Sequence, residues 1–160
     1  MKILITSDHA GFELKNELLS YLIGLGYEVE DKGPAQYRSE DDYPDFIAPV
    51  ARAVSQNPRR SKAIVIGGSG QGEAIVANRF ANVRAVVYNA PNLNVIKLSR
   101  AHNDANILSL GARFLSMDEA KEAVKLWLET EFSNVERHFR RIQKIESLRG
   151  STSNKIGDNL

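Results

Sequence analysis

A glutamate follows a glycine-rich segment in the middle of the chain, in the order Gly-Gly-Ser-Gly-Gln-Gly-Glu. Gly67, Gly68, Gly70 and Gly72 leave the backbone amides uncovered, so several N–H groups can turn towards one anionic oxygen. The Glu73 carboxylate would repel a phosphate, but it suits a reaction in which a base removes a proton while an adjacent oxygen becomes negative. Enolisation is such a reaction, and we expect the adjoining helix N-terminus to keep Glu73 ionised.

The same glycines also have a purely structural interpretation, in which they form a tight strand-to-helix turn and Glu73 is a favourable first-turn acid. Two nucleotide-binding motifs fit less well. The P-loop closes with Gly-Lys-Ser/Thr, whereas Gly72 is followed by Glu73 and Ala74. The dinucleotide fingerprint requires a glycine at position 73 and an acid after the next strand, where Tyr88 and Asn89 stand. The sequence therefore disfavours both nucleotide sites.

Two further polar pairs carry groups for acid–base chemistry. Asp8 and His9 follow the first apolar run and are suited to orienting and protonating a substrate hydroxyl, because histidine titrates near neutral pH. Asp8 is equally suited to capping the next helix. His102 and Asn103 follow the fourth predicted helix and offer an acid for a ring oxygen, although a lone histidine in such a place is more often structural.

The final predicted helix carries a basic group. Arg137 and Arg141 lie about one turn apart on the same face and can form a fork around a phosphate. A solvated basic face is the commoner meaning of such a pattern, so the arginines alone do not identify a site.

The composition limits the possible classes of protein. A chain of 160 residues, 42% hydrophobic and 26% charged, suits one compact domain. The formal charge of +1 gives no global field for nucleic acid or membrane, and the absence of cysteine excludes disulfides and thiol catalysis. No segment resembles a signal peptide or reaches the ~20 apolar residues of a spanning helix. We therefore expect a cytoplasmic protein.

Five short apolar runs alternate with helix-period segments, and these elements must position the polar residues. Strands are predicted at 2–6, 27–30, 63–66, 84–88 and 106–110. The alternation predicts a doubly wound, Rossmann-like α/β fold with a five-stranded parallel sheet in a three-layer αβα arrangement. Such sheets bind ligands beyond the carboxyl ends of their strands. The segments there are 7–9, 67–73, Asn89 and 111–113.

The end of the chain departs from this alternation. Capping-box spacing at Ser116 with Glu119 and at Ser133 with Glu136 predicts two consecutive helices. The last helix has apolar positions without an obvious partner, so we expect it to pack on a partner subunit of a homodimer. These apolar positions are Val135, Phe139, Ile142 and Ile145. We expect one domain over residues 1–148 and a disordered, polar tail over 149–160.

Most of these polar residues belong to ordered sequence blocks. The blocks are Ser-Asp-His-Ala-Gly-Phe-Glu-Leu-Lys at 7–15, Asp-Tyr-Pro-Asp at 42–45, Gly-Gly-Ser-Gly-Gln-Gly-Glu at 67–73, Ala-Asn-Arg at 77–79, Arg-Ala-His-Asn-Asp at 100–104, Gly-Ala-Arg at 111–113 and Arg-His-Phe-Arg-Arg-Ile at 137–142. Together they resemble ribose-5-phosphate isomerase type B, a family that also includes the galactose-6-phosphate isomerase subunits. The resemblance extends from residue 1 to about residue 148.

The resemblance implies an aldose–ketose isomerase of the pentose phosphate pathway. Its reaction is the interconversion of ribose 5-phosphate and ribulose 5-phosphate through an enediolate. The resemblance also implies that no metal or organic cofactor is needed, and that active sites are shared between subunits of a homodimer or a dimer of dimers. The only other partner we expect is the phosphorylated sugar, with no nucleic acid and no membrane.

The resemblance further implies roles at matching positions. Glu73 is similar to the base that moves a proton between C1 and C2, and His102 is similar to the acid that opens the furanose ring. The enediolate cradle would consist of the amides of Gly68, Ser69, Gly70, Gln71 and Gly72, with a further catalytic contact from the Ser69 hydroxyl. The sugar would be held by Asp8, His9, Tyr43 and Asn103. The phosphate would be bound by Arg113, Arg137 and Arg141, the last two from the neighbouring subunit.

Position 67 departs from many members of the family, which have a cysteine base where this chain has Gly67. The chain instead resembles the subgroup whose base is a glutamate at the start of the following helix, which agrees with the independent interpretation of Glu73.

Two other functions stay open. One is the same reaction on a six-carbon substrate such as galactose or allose 6-phosphate. The other is a non-catalytic phosphosugar-binding regulator, which Glu73 beside an intact glycine loop disfavours.

Overall fold

The computed structural model describes residues 1–148 and has the predicted alternation of strands and helices. The strands are β1 (Lys2–Ser7), β2 (Val29–Asp31), β3 (Ser61–Gly67), β4 (Ala85–Tyr88) and β5 (Ile107–Gly111). The helices are α1 (Phe12–Gly24), α2 (Tyr43–Gln56), α3 (Gln71–Ala77), α4 (Leu93–Ala101), α5 (Met117–Glu129) and α6 (Glu136–Ser147). Every predicted strand is confirmed to within two residues at each end. The predicted tail, 149–160, lies outside the described residues.

All five strands are parallel, in the order β2-β1-β3-β5-β4. Ile5 pairs with Ile64, which in turn pairs with Leu108 across the centre of the sheet. Because the strands run in the same direction, their carboxyl ends meet at one edge and their amino ends at the other. We call these the carboxyl edge and the amino edge, and the predicted doubly wound fold is confirmed.

Each face of the sheet is covered by helices, as parallel sheets require. One face packs against α1, α4 and α5 through alternate strand residues, among them Ile3, Ile5, Ile64, Ile66 and Leu108. The other face packs against α2 and α3 through Leu4, Ala63, Val65 and Ile107. These side chains are almost completely buried. Burial of each large apolar side chain stabilises the fold by about 1.5–3 kcal/mol, which holds the strand ends in a fixed arrangement.

The two last helices follow one another without a strand, as predicted, but only one of the two capping boxes forms. The Ser116 hydroxyl accepts from the Glu119 amide at 3.3 Å, and the Glu119 carboxylate accepts from the Ser116 amide at 2.7 Å. The capping box predicted at Ser133 and Glu136 was wrong, because α6 has no side-chain cap. The Ser133 hydroxyl instead hydrogen-bonds Nδ1 of His138 at 2.9 Å.

Helix α6 rests on the amino edge of the sheet. The Arg84 guanidinium, just before β4, donates to the Glu146 carboxylate at 2.9 Å. Three apolar side chains of the α6 segment are about half exposed, namely Val135 at 46%, Phe139 at 52% and Ile145 at 51%. Packing of α6 on a partner subunit therefore stays a prediction, and these residues are the surface it would use. Within residues 1–148, no helix is both long enough and apolar enough to cross a membrane.

Candidate active site

Several of the predicted site residues meet at the carboxyl edge. Asp8 and His9 follow β1, the glycine loop (residues 67–72) follows β3, and Arg113 lies two residues beyond β5. Tyr43 begins α2, which enters from the same edge after β2. The topology thus assembles one group of polar side chains around the glycine loop.

The glycine loop is anchored through its carbonyl groups. The Ser109 hydroxyl donates to the Gly70 carbonyl at 2.6 Å, and the Asn89 side-chain amide donates to the Ser69 carbonyl at 3.1 Å. Gly70 has a φ of +77°, and a Cβ there would lie 3.0 Å from the carbonyl carbon of Leu110. Only glycine accepts both the backbone angle and the close approach. The loop is therefore held in shape by groups that leave its amides unused.

Most amides of the glycine loop have no internal hydrogen-bond partner in the described part of the chain. The Gln71 amide donates to the Ser69 hydroxyl at 3.3 Å. Across residues 1–148, the amides of Gly68, Ser69, Gly70 and Gly72 have no hydrogen-bond acceptor. Successive N–H groups with no internal partner favour the binding of an anion or of a developing negative charge. This geometry is compatible with the cradle predicted from the glycine spacing, and the binding of an anion there stays a prediction.

The Glu73 side chain lies against the backbone of Gly67. Glu73 is buried, with 4% of its surface exposed. A Cβ added at Gly67 would lie 2.7 Å from Oε2 of Glu73 and would overlap Oε1 outright. The carboxylate thus occupies the space that any other residue at position 67 would fill.

Burial raises the pKa of the Glu73 carboxyl above its usual range, and the nearby Asp8 charge raises it further. A hydrogen bond of the carboxylate with its own backbone amide lowers the pKa but does not cancel these effects. We expected the helix N-terminus to favour the ionised form, but the cost of removing the charge from water outweighs that effect. A higher pKa makes the ionised carboxylate a stronger base.

Asp8 and His9 are each held by a local hydrogen bond. The Asp8 carboxylate accepts from the Gly11 amide at 3.1 Å and caps the turn at His9–Gly11, so the capping interpretation of Asp8 is confirmed. The Asp41 carboxylate accepts from the backbone amide of His9 at 3.1 Å and from its Nδ1 at 2.6 Å. Because Nδ1 donates to a carboxylate, Nε2 is the ring nitrogen left for a ligand.

Asp8, His9 and Asp41 also have the spacing of metal ligands, since one candidate atom of each lies within 4.8 Å of the others. The cap bond of Asp8 and the two bonds from His9 to Asp41 already engage these groups. Hydrogen bonds through Oδ1 of Asp41 therefore orient His9, whereas Oδ2 of Asp41 is buried and has no hydrogen-bond partner among the described residues.

Tyr43 lies close to Gly72 and Arg113 lies close to Gly68 of the glycine loop. A Cβ at Gly72 would lie 2.8 Å from Cζ of Tyr43, and a Cβ at Gly68 would lie 3.3 Å from Cζ of Arg113. The missing side chains let the phenol and the guanidinium lie directly on the loop. Arg113 has no acidic partner within the described part of the chain, which leaves its charge for an anionic ligand.

A second group of predicted site residues lies at the amino edge. His102 and Asn103 connect the end of α4 to the start of β5, and Arg137 and Arg141 lie on α6 beside them. The five residues of β5 span about 13 Å at the usual rise per residue, so this group and Glu73 are on opposite edges of the sheet. One chain does not bring the two groups together.

Sequence reasoning missed three residues that shape the site. Asp41 stands among other acids, and Ser109 lies inside a buried strand, so neither has a local pattern that indicates its contact. His138 stands between the two predicted phosphate arginines, but its ring is buried and packs on His102, with ring centroids 4.1 Å apart. Its position inside an otherwise exposed basic helix face was the available signal.

The molecule is a small parallel α/β protein with a buried carboxylate beside backbone amides, unpaired among the described residues, at the carboxyl edge of its sheet. The family model described as Ribose/Galactose Isomerase matches residues 3–145. The chain belongs to this family.

Relatives and solved structures agree with that assignment. Ribose-5-phosphate isomerase B of Escherichia coli is 40% identical over 148 residues, covering 92% of this chain and 95% of the relative. Ribose-5-phosphate isomerase B of Mycobacterium tuberculosis is 37% identical over 142 residues, which cover 89% of this chain and 86% of the relative. The Mycoplasma genitalium ribose-5-phosphate isomerase B with bound ribulose-5-phosphate superposes with a TM-score of 0.90 at 35% identity, covering 94% of this chain and 97% of that one. The Clostridium thermocellum ribose-5-phosphate isomerase B superposes with a TM-score of 0.87 at 43% identity. That match covers 94% of this chain and 98% of the other chain.

The contact of Glu73 with Gly67 leads to a direct prediction. In Gly67→Ala the new methyl group displaces the carboxylate towards water, so the pKa of Glu73 should fall towards its usual value. NMR titration of the Glu73 carboxyl carbon measures this change. Gly24→Ala is the matched control, because a Cβ there meets nothing within 4 Å. An unchanged Glu73 pKa in a folded Gly67→Ala protein would contradict the described contact.

Proposed function

We propose that the protein interconverts D-ribose 5-phosphate and D-ribulose 5-phosphate through an enediolate, the step of the pentose phosphate pathway that the resemblance implies. The observation that carries this proposal is the buried carboxylate of Glu73 beside unused amides of the glycine loop. The relatives named above support the choice of substrate. A cytoplasmic location stays a prediction.

Glu73 acts as the base in the proposed reaction. Its carboxylate removes the proton from C2 of the open-chain aldose, the C2–H electron pair forms the C1–C2 double bond, and the carbonyl oxygen O1 becomes negative. The O2 proton then moves to O1, and Glu73 returns its proton to C1, which gives the ketose. The base is regenerated, so atoms and charges balance.

The amides of the glycine loop stabilise the negative oxygen while it exists. Because this interaction is strongest when the charge has formed, it lowers the barrier rather than only binding the substrate, by about 3 kcal/mol for a typical donor of this kind. The Ser69 hydroxyl lies on the same loop and adds a catalytic contact. Asp8, His9 and Tyr43 surround the loop and hold the sugar hydroxyls, with Arg113 directed at the phosphate.

The remaining site residues come from a second copy of the chain. His102 would protonate the ring oxygen of the furanose as the ring opens, and Asn103, Arg137 and Arg141 would bind sugar and phosphate. Since the length of β5, about 13 Å, separates these groups from the carboxyl edge of their own chain, a partner has to supply them to Glu73. The half-exposed apolar side chains of the α6 segment support a homodimer with two such shared sites.

The role of the base is tested by Glu73→Gln. We expect kcat for ribose 5-phosphate to fall about 10³-fold while substrate binding is retained, because the amide cannot accept the carbon-bound proton. Turnover is measured by formation of ribulose 5-phosphate, and binding by calorimetry. Glu13→Gln, at an exposed first-turn acid of α1, is the matched control. Retained turnover in Glu73→Gln would refute the assignment.

The same variant should be more stable than the wild type near neutral pH. The folded-state pKa of Glu73 is raised, so its ionised form favours the unfolded chain. The stability gained by Glu73→Gln should therefore be present above the raised pKa and disappear as the pH falls below the ordinary pKa of a glutamate. Thermal unfolding at several pH values measures this, and it shows that lost turnover is not lost folding.

Shared sites are tested by mixing two inactive variants. A dimer of one Glu73→Gln chain and one His102→Asn chain has one site with both defects and one site with neither. We expect isolated mixed dimers to have about half of the wild-type activity per dimer, although each parent is inactive. Differently tagged chains allow the mixed dimer to be purified. If the site were built within one chain, the mixed dimer would stay inactive.

The phosphate contacts of α6 are tested by Arg137→Ala and Arg141→Ala. We expect each substitution to raise KM for ribose 5-phosphate about tenfold or more with a smaller change in kcat, because binding of the phosphate is weakened before and during the reaction. Arg140→Ala is the matched control, since Arg140 lies on the exposed side of the same helix and pairs with Glu136 at 2.7 Å. Equal effects of all three substitutions would argue against specific phosphate binding.

A further inference from the structure

His138 is the buried residue of helix α6. It lies between the proposed phosphate ligands, yet only 3% of its surface is exposed. Its ring packs on that of His102, with centroids 4.1 Å apart and planes inclined by 37°. The site described above uses His102 and Arg137 but assigns nothing to the residue that touches both.

Both ring nitrogens of His138 are engaged, and their partners determine the tautomer. Nε of Arg137 donates to Nε2 at 3.2 Å. Because a guanidinium stays protonated, Nε2 must be the acceptor and cannot carry the hydrogen. The hydrogen is then on Nδ1, which donates to the Ser133 hydroxyl at 2.9 Å. His138 is thus a neutral ring with one defined tautomer.

The surroundings of His138 favour this neutral form. Burial lowers its pKa, and the nearby His102, Arg137 and Arg141 lower it further, while the nearby Ala101 backbone opposes them. The supporting loop is fixed as well, because the Ser133 amide donates to the Ala101 carbonyl at 3.0 Å.

We propose that His138 is a positioning residue that orients the acid His102 through its ring and the phosphate-binding guanidinium of Arg137 through Nε2. The inference rests on the proposed function, because it gives these two residues the roles assigned there. It adds that one neutral side chain links the acid to the phosphate ligand. Because Nε of Arg137 is held by His138, the terminal nitrogens of the guanidinium stay directed at the substrate phosphate.

Three substitutions separate the two contacts. Phenylalanine keeps a ring against His102 but lacks the acceptor, so His138→Phe should raise KM for ribose 5-phosphate about tenfold and change kcat less than about twofold. Glutamine keeps an acceptor near the position of Nε2 but lacks the ring, so His138→Gln should lower kcat about tenfold and leave KM within about twofold. His138→Ala should show both effects.

Binding of inorganic phosphate, measured by calorimetry, gives a readout that does not need turnover. We expect weaker phosphate binding in His138→Phe and His138→Ala and unchanged binding in His138→Gln. Gln143→Ala, an exposed substitution on the same helix, is the control for general effects on α6. Wild-type kinetics and phosphate binding in the three His138 variants, or the same change of kcat and KM in His138→Phe and His138→Gln, would overturn the proposal.

The experiment distinguishes this inference from the proposed function. If the wild-type protein did not turn over ribose 5-phosphate, the proposed function would fail, while phosphate binding by the His138 variants would still decide whether His138 orients Arg137. If the wild type is active and the variants behave alike, only the role of His138 fails.

Discussion

The contact between the Glu73 carboxylate and the backbone of Gly67 determines much of the site. A carboxylate placed there is removed from water, which raises its pKa and makes it a stronger base. The same contact requires that position 67 has no side chain. The sequence resembles a family in which many members have a cysteine base at that position. A Cβ there and this carboxylate occupy the same space, so a side chain at position 67 would displace the Glu73 carboxylate from its observed position.

The direction of the parallel sheet imposes the second constraint. The glycine loop, Asp8 and Arg113 lie at the carboxyl edge, whereas His102 and α6 lie at the amino edge. A core of tightly packed strands and helices separates the two edges, and no local movement of a loop would join them. A second copy of the chain is the simplest way to complete the site, and the exposed apolar side chains of the α6 segment provide a surface for it. In this arrangement, assembly and catalysis depend on the same helix.

Sequence reasoning was most accurate where one physical cause dominates. The strands were predicted closely because buried strands of a parallel sheet are short, continuous apolar runs. The capping box at Ser116 formed because both of its partners belong to one helical turn. The equivalent pattern at Ser133 does not form a capping box. The His138 ring packs on His102, and the Ser133 hydroxyl hydrogen-bonds this ring and not the start of the helix. A tertiary contact overrode a local signal.

Spacing along the chain was enough to predict the doubly wound fold, the glycine loop with Glu73 beside it, and the resemblance to a sugar-phosphate isomerase family. The packing of the folded chain was needed to show that Glu73 is buried against Gly67, that Asp41 holds His9, and that His102 and His138 lie at the edge opposite Glu73. These facts depend on which strands are neighbours and on which way side chains pack between layers. Distances of that kind join residues far apart in the chain, and no local pattern encodes them.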